Sequence, residues 1–485
     1  MNQIIAVFAS LLGLAVGRSQ LPKLHTEKHP SALLQEGQWW AKVGDHFVHA
    51  PDETSGLSKD VGDYYYTYGS HAALTQELKD KRVGGDGRLH ILHLPDGVDS
   101  LSQELPKGGR RNSVAAFVQL KHEAQLSNAK IFPAYAVPAG YGSGLSPGGE
   151  ELEKKVVAAI TSDAAMSQLE ELTSLGDDSF TTRSWSNPKA TENCVNYIEK
   201  QFKDMGYSTC VQSFTSSGTG LKSVIAYLPG TEGSTKGTVT LGGHYDSRPF
   251  EGLAPGAVDN GSGSAAVLSI AKAIANAKVK PQRSIFFVAF AAEEPGLLGS
   301  KEFAQRLKDA KANVAFLEGD SDSDAETSLL KRMCGKEFEG VANLLQDQSG
   351  QKHKKRNHRE DSKHEALIMD EIAWRSTNID LSMGPVVNLE SYDWSTHVLN
   401  HLAAASKEHN QDALKVTHSG NPFGSDHMSF LDLGFQAVLT IHGDDEGYPN
   451  YHSSDDNMEK VDPELYTLIM KMNAGALLRL SGVSA

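Results

Sequence analysis

The 485-residue sequence is long enough for two to four domains of about 100–200 residues, or for one large domain with an appendage. Hydrophobic residues make up 39% of it, which excludes wholesale disorder, and 61 acidic against 46 basic residues argue against nucleic acid or an anionic membrane as a partner. Three cysteines are too few for a disulfide framework or a Cys-ligated zinc ribbon, so any metal must depend on His, Asp and Glu.

The N-terminus begins with an apolar run from Ile4 to Val16, which is too short to span a bilayer. Small residues at Ala15 and Gly17 suit a cleavage site, so residues 1–17 are predicted to be a signal peptide and the protein to be secreted or to reside in the secretory-pathway lumen. A buried N-terminal strand or helix is the alternative interpretation.

Residues 18–147 carry aromatic residues and short alternating runs, such as Arg88–Leu94, that favour some packed structure. They contain no metal-binding or nucleophile pattern. The segment Tyr141–Gly149 is rich in Gly, Ser and Pro and is typical of a linker. We therefore expect 18–147 to be a removable pro-region, or else a permanent accessory domain.

From residue 150 onward, helical and strand patterns alternate. Strands that are apolar on both faces indicate a three-layer α/β sandwich, with a mostly parallel central sheet and helices on both faces. In such sheets, functional sites lie at the carboxyl ends of the strands. The predicted helices are Glu192–Phe202, Ser264–Ala277, Gly299–Ala310 and Pro463–Leu478, and the predicted strands are Tyr207–Phe214, Val224–Leu228, Thr238–Gly243, Ser284–Phe290, Ala366–Met369 and Gln436–Ile441.

Two motifs follow the third of these strands. His244 and Asp246 stand two residues apart at its end, which suits a metal ligand whose imidazole is oriented by its own carboxylate. Asp259 lies in a glycine-rich turn just before a helix. Taken alone, the first pattern is more often surface chemistry, and Asp259 could be an Asx turn or a helix N-cap.

Further acidic residues and a histidine follow later strands. Adjacent carboxylates at Glu293 and Glu294 directly follow an apolar strand, where a dication would compensate their burial. Neighbouring residues point in different directions, so one can ligate while the other faces a water. A solvated acidic turn is the plainer alternative for this pair alone. Asp370 follows the predicted strand Ala366–Met369 and His452 lies in a late loop, so the chain order is His, Asp, Glu-Glu, Asp, His.

This ordered set resembles the co-catalytic di-zinc exopeptidase family, which contains secreted leucyl aminopeptidases and glutamate carboxypeptidases. The resemblance covers about residues 155–485 and implies two zinc ions per chain. It implies that Asp259 bridges the ions, that Glu293 is the general base and that Asp246 orients His244. The implied zinc ligands are His244, Asp259 and Asp370 for one ion and Asp259, Glu294 and His452 for the other; the matching strings are 242–249, 255–263, 291–300 and 451–456.

The function implied is that of a secreted zinc aminopeptidase, which hydrolyses N-terminal residues from peptides with a water activated by the two metals. The alternatives are a carboxypeptidase or dipeptidase on the same fold, a single-zinc cyclase relative and a non-catalytic binding domain. A serine triad is disfavoured because the sequence has no Gly-x-Ser-x-Gly elbow. We expect peptide substrates, no nucleic-acid or membrane partner, and a monomer.

A weaker resemblance assigns Asp426, His427 and Tyr451 to the substrate pocket. His427 is expected to be a hydrogen-bonded core or pocket residue rather than a zinc ligand. Of the basic residues, Arg248 and Arg375 are near the motifs and could meet a substrate carboxylate, whereas the acidic residues favour a substrate ammonium.

The sequence departs from the family between Glu294 and Asp370, which are 370 − 294 = 76 residues apart. Residues of about 318–364 form a charge-segregated polar stretch, predicted to be a disordered insertion or unspliced coding sequence. For the cysteines, a helix that folds back on its next strand predicts that Cys194 pairs with Cys210 and that Cys334 is free.

Overall fold

The computed structural model divides the chain into two compact units, Met1–Gln125 and Leu126–Ala485. The predicted signal peptide lies outside the described residues. Those residues are 25–27, 41–43, 46–49, 64–68, 79–84, 89–93, 118–119 and 132–484, the last range without 217, 233–235, 315–328, 335–363, 377–378, 380–383, 421, 423 and 445–446.

The described part of the N-terminal unit contains seven short strands in two antiparallel sheets, ordered β1-β3-β2 and β5-β6-β4-β7. The predicted strand at Arg88–Leu94 corresponds to β6. The bounds are β1 His25–Glu27, β2 Ala41–Val43, β3 His46–His49, β4 Tyr64–Tyr68, β5 Arg82–Gly84, β6 Leu89–His93 and β7 Val118–Gln119.

The larger unit is built on an eight-stranded sheet in the order β14-β13-β15-β12-β10-β11-β9-β8. The four central strands β15, β12, β10 and β11 are parallel to one another, while β9 and β8 at one side and β13 at the other introduce antiparallel pairs. The bounds are β8 Ser208–Ser216, β9 Thr219–Leu228, β10 Thr238–His244, β11 Ser284–Phe290, β12 His364–Met369, β13 Val386–Glu390, β14 Lys415–Ser419 and β15 Gln436–His442.

Eight helices with defined bounds accompany the described sheet, in addition to the short helical stretch at 329–334. In α3, Asn187 caps the N-terminus, a proline occupies the first turn, and buried side chains recur on one face up to Phe202. No helix among the described residues is both long and apolar enough to cross a membrane. The bounds are α1 Pro147–Ala158, α2 Ser162–Thr173, α3 Pro188–Asp204, α4 Gly263–Ala277, α5 Leu298–Val314, α6 Thr396–His409, α7 His427–Leu431 and α8 Pro463–Ser481.

Alternate residues of the central strands enter two different hydrophobic cores. On β11, for example, Ile285 and Phe287 join a core with α1 to α4, α6 and α8, whereas Phe286 and Val288 join a second core with α5 and α7. This alternation requires buried cores on both faces of the sheet. The predicted three-layer α/β sandwich is therefore confirmed, with a sheet that is mixed at its edges.

The cysteine prediction was wrong. Cys210 forms a disulfide with Cys334, and Cys194 is free and buried. The physical reason is the two-sided sheet: Cys194 on α3 packs into the first core, while the side chain of Cys210 enters the second core on the opposite face. A helix that folds back over its next strand reaches only one of that strand's faces.

Part of the predicted disordered insertion at 318–364 is ordered. Residues 329–334 are helical; Leu330 and Met333 are buried in the second core, and Cys334 forms the disulfide. β12 begins at buried His364, next to the predicted end of the insertion. The remaining stretches, 315–328 and 335–363, lie outside the described residues.

The segment before α1 belongs to the larger unit. Tyr135 donates its backbone N–H to the carbonyl of Val416, and its hydroxyl to Asn400 at 2.8 Å. Ser146 caps α1, so the last residues of the predicted linker Tyr141–Gly149 are helical. The structural boundary therefore lies at Gln125/Leu126, upstream of the predicted one at 147.

Candidate metal centre and active site

The predicted metal ligands follow the carboxyl ends of the four parallel strands. His244 is the last residue of β10, Glu294 follows β11, Asp370 follows β12 and His452 lies in the loop after β15. Asp259 lies in the turn between β10 and α4. Because the carboxyl ends of parallel strands meet at one edge, residues more than 200 positions apart share one site.

These five side chains form two groups that share Asp259. In the first group, Nε2 of His244 lies 3.5 Å from Oδ1 of Asp259 and 3.4 Å from Oδ2 of Asp370. In the second group, Nε2 of His452 lies 3.2 Å from Oδ2 of Asp259 and 3.0 Å from Oε2 of Glu294. Within each group, one candidate ligand atom per residue lies within 4.8 Å of the others. The structure thus brings the predicted ligands together, with one oxygen of Asp259 toward each group.

A second carboxylate holds the turn that carries Asp259. The backbone N–H groups of Val258 and Asp259 each donate to the carboxylate of Asp456 at 2.9 Å, and the hydroxyl of Tyr448 donates to it at 2.6 Å. The sequence places Asp456 inside a motif string, but no sequence pattern indicates this role.

A glycine fixes where the next helix begins. A Cβ atom at Gly263 would fall on the carbonyl oxygen of Met369, so only glycine lets α4 begin this close to β12.

Arg183 is the buried anchor that sequence reasoning missed. Its guanidinium donates at 2.8 Å to the carbonyls of Tyr245 and Gly256, and also to that of Pro255. It therefore ties the loop after His244 to the turn that carries Asp259. An arginine outside every recognisable motif gives no sequence signal of such a role.

Glu293 stands beside both groups and has a different set of contacts. Its side chain is 11% exposed and its Oε2 lies 3.9 Å from Nε2 of His244. Its backbone N–H donates to Oδ1 of Asp246 at 3.0 Å, and that of Glu294 donates to Oδ2 at 3.2 Å. Asp246 also has an oxygen 3.6 Å from Nδ1 of His244, so one carboxylate contacts both the histidine and the Glu-Glu turn.

The electrostatics of the site are set by buried carboxylates. Burial and the charge of Glu294 raise the pKa of Asp259 to about 6. Burial holds the pKa of Glu293 well above its usual range, although His244 acts to lower it; Glu294, Asp426 and Asp370 add to the rise. The protein groups alone therefore leave an excess of negative charge that a cation would relieve.

The donor set fits zinc. Oε1 of Glu294 and Oδ1 of Asp370 are buried, and neither has a hydrogen-bond partner among the residues that the structure describes. Buried oxygens of this kind are costly unless they bind a proton donor or a cation. Imidazole nitrogen and carboxylate oxygen are ligands that zinc accepts in catalytic sites.

Arg248 is the positive charge closest to the second group. Its Nε lies 2.9 Å from Oε2 of Glu294, Nη1 lies 3.0 Å from Nδ1 of His452, and its guanidinium stacks 4.1 Å over the ring of Phe250. Burial acts to raise the pKa of Glu294, but the charges of His452 and Arg248 lower it to about 2. Glu294 is therefore held ionised.

Two of the three predicted pocket residues, Asp426 and Tyr451, interact with residues of the site. Asp426 is buried, and burial raises its pKa to about 7. His427 is buried as the first residue of α7, in keeping with a core or pocket position. Tyr451 stacks on His452 with ring centroids 3.6 Å apart. The neighbouring Ser425 donates its hydroxyl to Oδ2 of Asp370 at 2.7 Å, a contact that sequence reasoning did not predict.

Comparison with known proteins matches this chain to a named family. The sequence profile of Peptidase family M28 matches residues 223–382 and 348–477. A probable zinc metalloprotease of Pyrenophora teres f. teres is 45% identical over 102 residues, which are 20% of this chain and 21% of that protein. A probable leucine aminopeptidase of Arthroderma otae is 32% identical over 264 residues, 51% of this chain and 66% of that protein. The chain thus matches less than two thirds of the length of either relative.

A solved structure extends the comparison to the fold. The Legionella pneumophila LapA aminopeptidase superposes with a TM-score of 0.50 at 20% identity, covering 86% of this chain and 98% of that one. At this identity the likeness supports the fold alone. It agrees with the three-layer arrangement described above.

Proposed function

Since this chain belongs to Peptidase family M28, we propose that it is a zinc-dependent aminopeptidase that removes N-terminal residues from peptides. The observation that carries the proposal is the position of Asp259, whose two oxygens face two different groups of buried ligands. Such an arrangement suits a pair of neighbouring cations better than a single one.

His244, Asp259 and Asp370 would hold one zinc ion, and Asp259, Glu294 and His452 the other. When bound, the zinc ions supply Lewis-acid stabilisation of the charge that develops on the scissile carbonyl and lower the pKa of water. Asp246 orients His244 and, through the backbone N–H groups that it accepts, fixes the direction of the Glu-Glu turn.

Glu293 acts as the general base in this proposal. Two groups of three ligands share Asp259, and Glu293 is a member of neither. Its carboxylate nevertheless lies beside both groups. Burial raises its pKa, which gives the carboxylate enough basicity to take a proton from the attacking water and to pass it to the leaving amine.

The charges around the site support recognition of a free amine. Both basic residues near the motifs are held by acidic partners: Arg248 by Glu294, and Arg375 by Asp462 and Glu464. A substrate carboxylate would have to compete with these partners. A substrate ammonium would instead meet the excess of carboxylates, among them buried Asp426.

We further propose that the protein is a secreted monomer with an N-terminal pro-region. The disulfide Cys210–Cys334 supports an oxidising compartment, because such bonds are rare in reducing ones. Removal of the pro-region by a cut near Gln125, upstream of the packed segment that begins at 132, should raise activity and leave a stable fragment.

The activity is tested with an aminoacyl-nitroanilide and with peptides blocked at either end. We expect cleavage that acetylation of the N-terminus abolishes and amidation of the C-terminus does not affect. A chelator should abolish it and zinc should restore it. Three outcomes would overturn the proposal. Cleavage that depends on a free C-terminal carboxylate would indicate a carboxypeptidase, and ring closure of N-terminal glutamine with one bound zinc would indicate a cyclase. No turnover by the zinc-loaded protein would indicate a binding domain.

A further inference from the structure

A pair of histidines lies at the opposite edge of the sheet from the proposed active site. His397 and His401 are four residues apart on α6, so they share one face of that helix. Their Nε2 atoms are 3.3 Å apart. His397 contacts Glu365 near the start of β12, five residues before Asp370, which is about 16 Å away along the strand.

We propose that His397 and His401 bind one divalent transition-metal ion at a site separate from the catalytic one. Two nitrogens that each lie about 2.0–2.1 Å from a tetrahedral zinc ion are about 3.3–3.4 Å apart. The observed 3.3 Å matches that spacing, so an ion would replace the direct contact between the two nitrogens. The two rings are therefore already at the separation that a shared ion requires.

His397 has the partner that a ligating histidine needs. Its Nδ1 lies 2.5 Å from Oε1 of Glu365, so the carboxylate fixes the ring and leaves Nε2 for an ion. Glu365 is itself buried and held by Arg283, so it cannot turn away. This carboxylate–histidine arrangement also makes the imidazole a stronger ligand.

The surroundings of the pair allow an ion to enter on one side only. The side chain of His397 is 48% exposed, whereas His401 is only 6% exposed and packs edge-on against the ring of Tyr141, 5.2 Å away. Nδ1 of His401 is buried with no hydrogen-bond partner in the described part of the chain, whereas its Nε2 faces Nε2 of His397 and is the nitrogen in position to share an ion. Water would complete the coordination on the exposed side.

Two imidazole nitrogens favour transition-metal ions of intermediate softness. Imidazole suits zinc, copper and nickel, and affinities for such sites rise toward Cu²⁺. Mg²⁺ and Ca²⁺ prefer oxygen ligands and should not compete. The proposal does not depend on the aminopeptidase assignment, because none of its residues contacts the ligand groups at the other edge.

The test compares full-length zinc-loaded protein with His397→Gln and His401→Gln after equilibrium dialysis against excess zinc. Metal analysis should find one more zinc per chain in the wild type than in either variant, while nitroanilide cleavage stays unchanged in both. His418→Gln, which removes a histidine of β14, serves as the control and should keep the extra ion. Glu365→Gln should weaken its binding about 10–100-fold.

Bound Cu²⁺ gives an independent readout through electron paramagnetic resonance. A hyperfine pattern from two nitrogens, lost in His397→Gln, supports the site. Because His397 is half exposed, this variant decides the question even where His401→Gln fails to fold. Equal zinc content and unchanged copper spectra in the wild type and His397→Gln would overturn the proposal, whatever the outcome for catalysis.

Discussion

Buried carboxylates at the two edges of the central sheet behave in opposite ways. Glu365 at the start of β12 lies between Arg283 and His397; burial acts to raise its pKa, but the hydrogen bond from His397 and the charge of Arg283 lower it to about 2. Beyond the other end of that strand, the site of Asp370 contains Asp259, whose pKa burial and neighbouring Glu294 raise to about 6. Both carboxylates are buried, but only Glu365 is paired directly with an arginine.

This difference separates a structural carboxylate from a functional one. A buried acid that the fold itself neutralises holds elements together, as Glu365 joins β12 to α6 and to the start of β11. A group of buried acids without enough cations is costly until an external cation arrives. We infer that the excess of charge at the carboxyl edge is what retains the metal.

The largest expected effect is that of Asp259→Asn. The amide removes the shared negative charge, so we expect most bound zinc and the peptidase activity to be lost. Metal analysis of the purified variant measures this. A zinc content equal to that of the wild type would contradict the assignment. Glu365→Gln at the other edge is the matched control and should keep both catalytic ions.

Glu293→Gln should distinguish a role in proton transfer from a role in metal binding. The substitution removes a proton acceptor and not a ligand, so zinc content should stay at the wild-type level while kcat falls about 10²–10⁴-fold. Steady-state kinetics with parallel metal analysis checks both. Wild-type turnover would identify another group as the base.

Removing a fixed cation from the opposite edge should cost stability rather than activity. Arg283→Met leaves Glu365 buried without its arginine, and breaking such a pair typically destabilises by about 3–5 kcal/mol. Denaturant unfolding measures the change. In chelator-treated protein, Asp370→Asn should instead be neutral or stabilising, because it relieves repulsion among unpaired acids. A similar loss in both variants would remove the distinction between the two edges.

The smallest effect is a pH dependence. The pKa of Glu365 is depressed from 4.5 to about 2, so its contribution to stability is present above pH 4.5 and is lost as the pH falls toward 2. A shift of this size corresponds to at most about 3 kcal/mol. The difference in unfolding free energy between wild type and Glu365→Gln should therefore shrink over that range. A difference in unfolding free energy that does not change with pH would show that Arg283 and His397 do not hold Glu365 in its ionised form.

The sequence was sufficient for the central strands and for the residues that follow them. His244, the Glu-Glu pair and Asp370 come directly after apolar runs, and Asp259 follows a glycine-rich turn, so short-range patterns locate all of them. The same runs indicated the sheet and both covered faces. These features depend on neighbours within about ten residues, which is the range over which sequence patterns are informative.

Features that depend on distant contacts could not be predicted. Arg183 reaches three carbonyls more than 60 positions away, and Asp456 accepts N–H groups from a turn nearly 200 residues earlier. The pairing of Cys210 with Cys334 depends on which face of β8 each side chain meets, and that is fixed by tertiary packing. The boundary at Gln125 was missed because the segment after it packs against a strand late in the chain.

A crystal structure with anomalous diffraction at the zinc edge would show directly whether two zinc ions share Asp259. We predict two anomalous peaks at the carboxyl edge of the sheet, each about 2.0–2.2 Å from a different oxygen of Asp259. Glu293 should coordinate neither ion. A single peak at this edge, or two peaks there that do not share Asp259, would show that Asp259 does not bridge two ions.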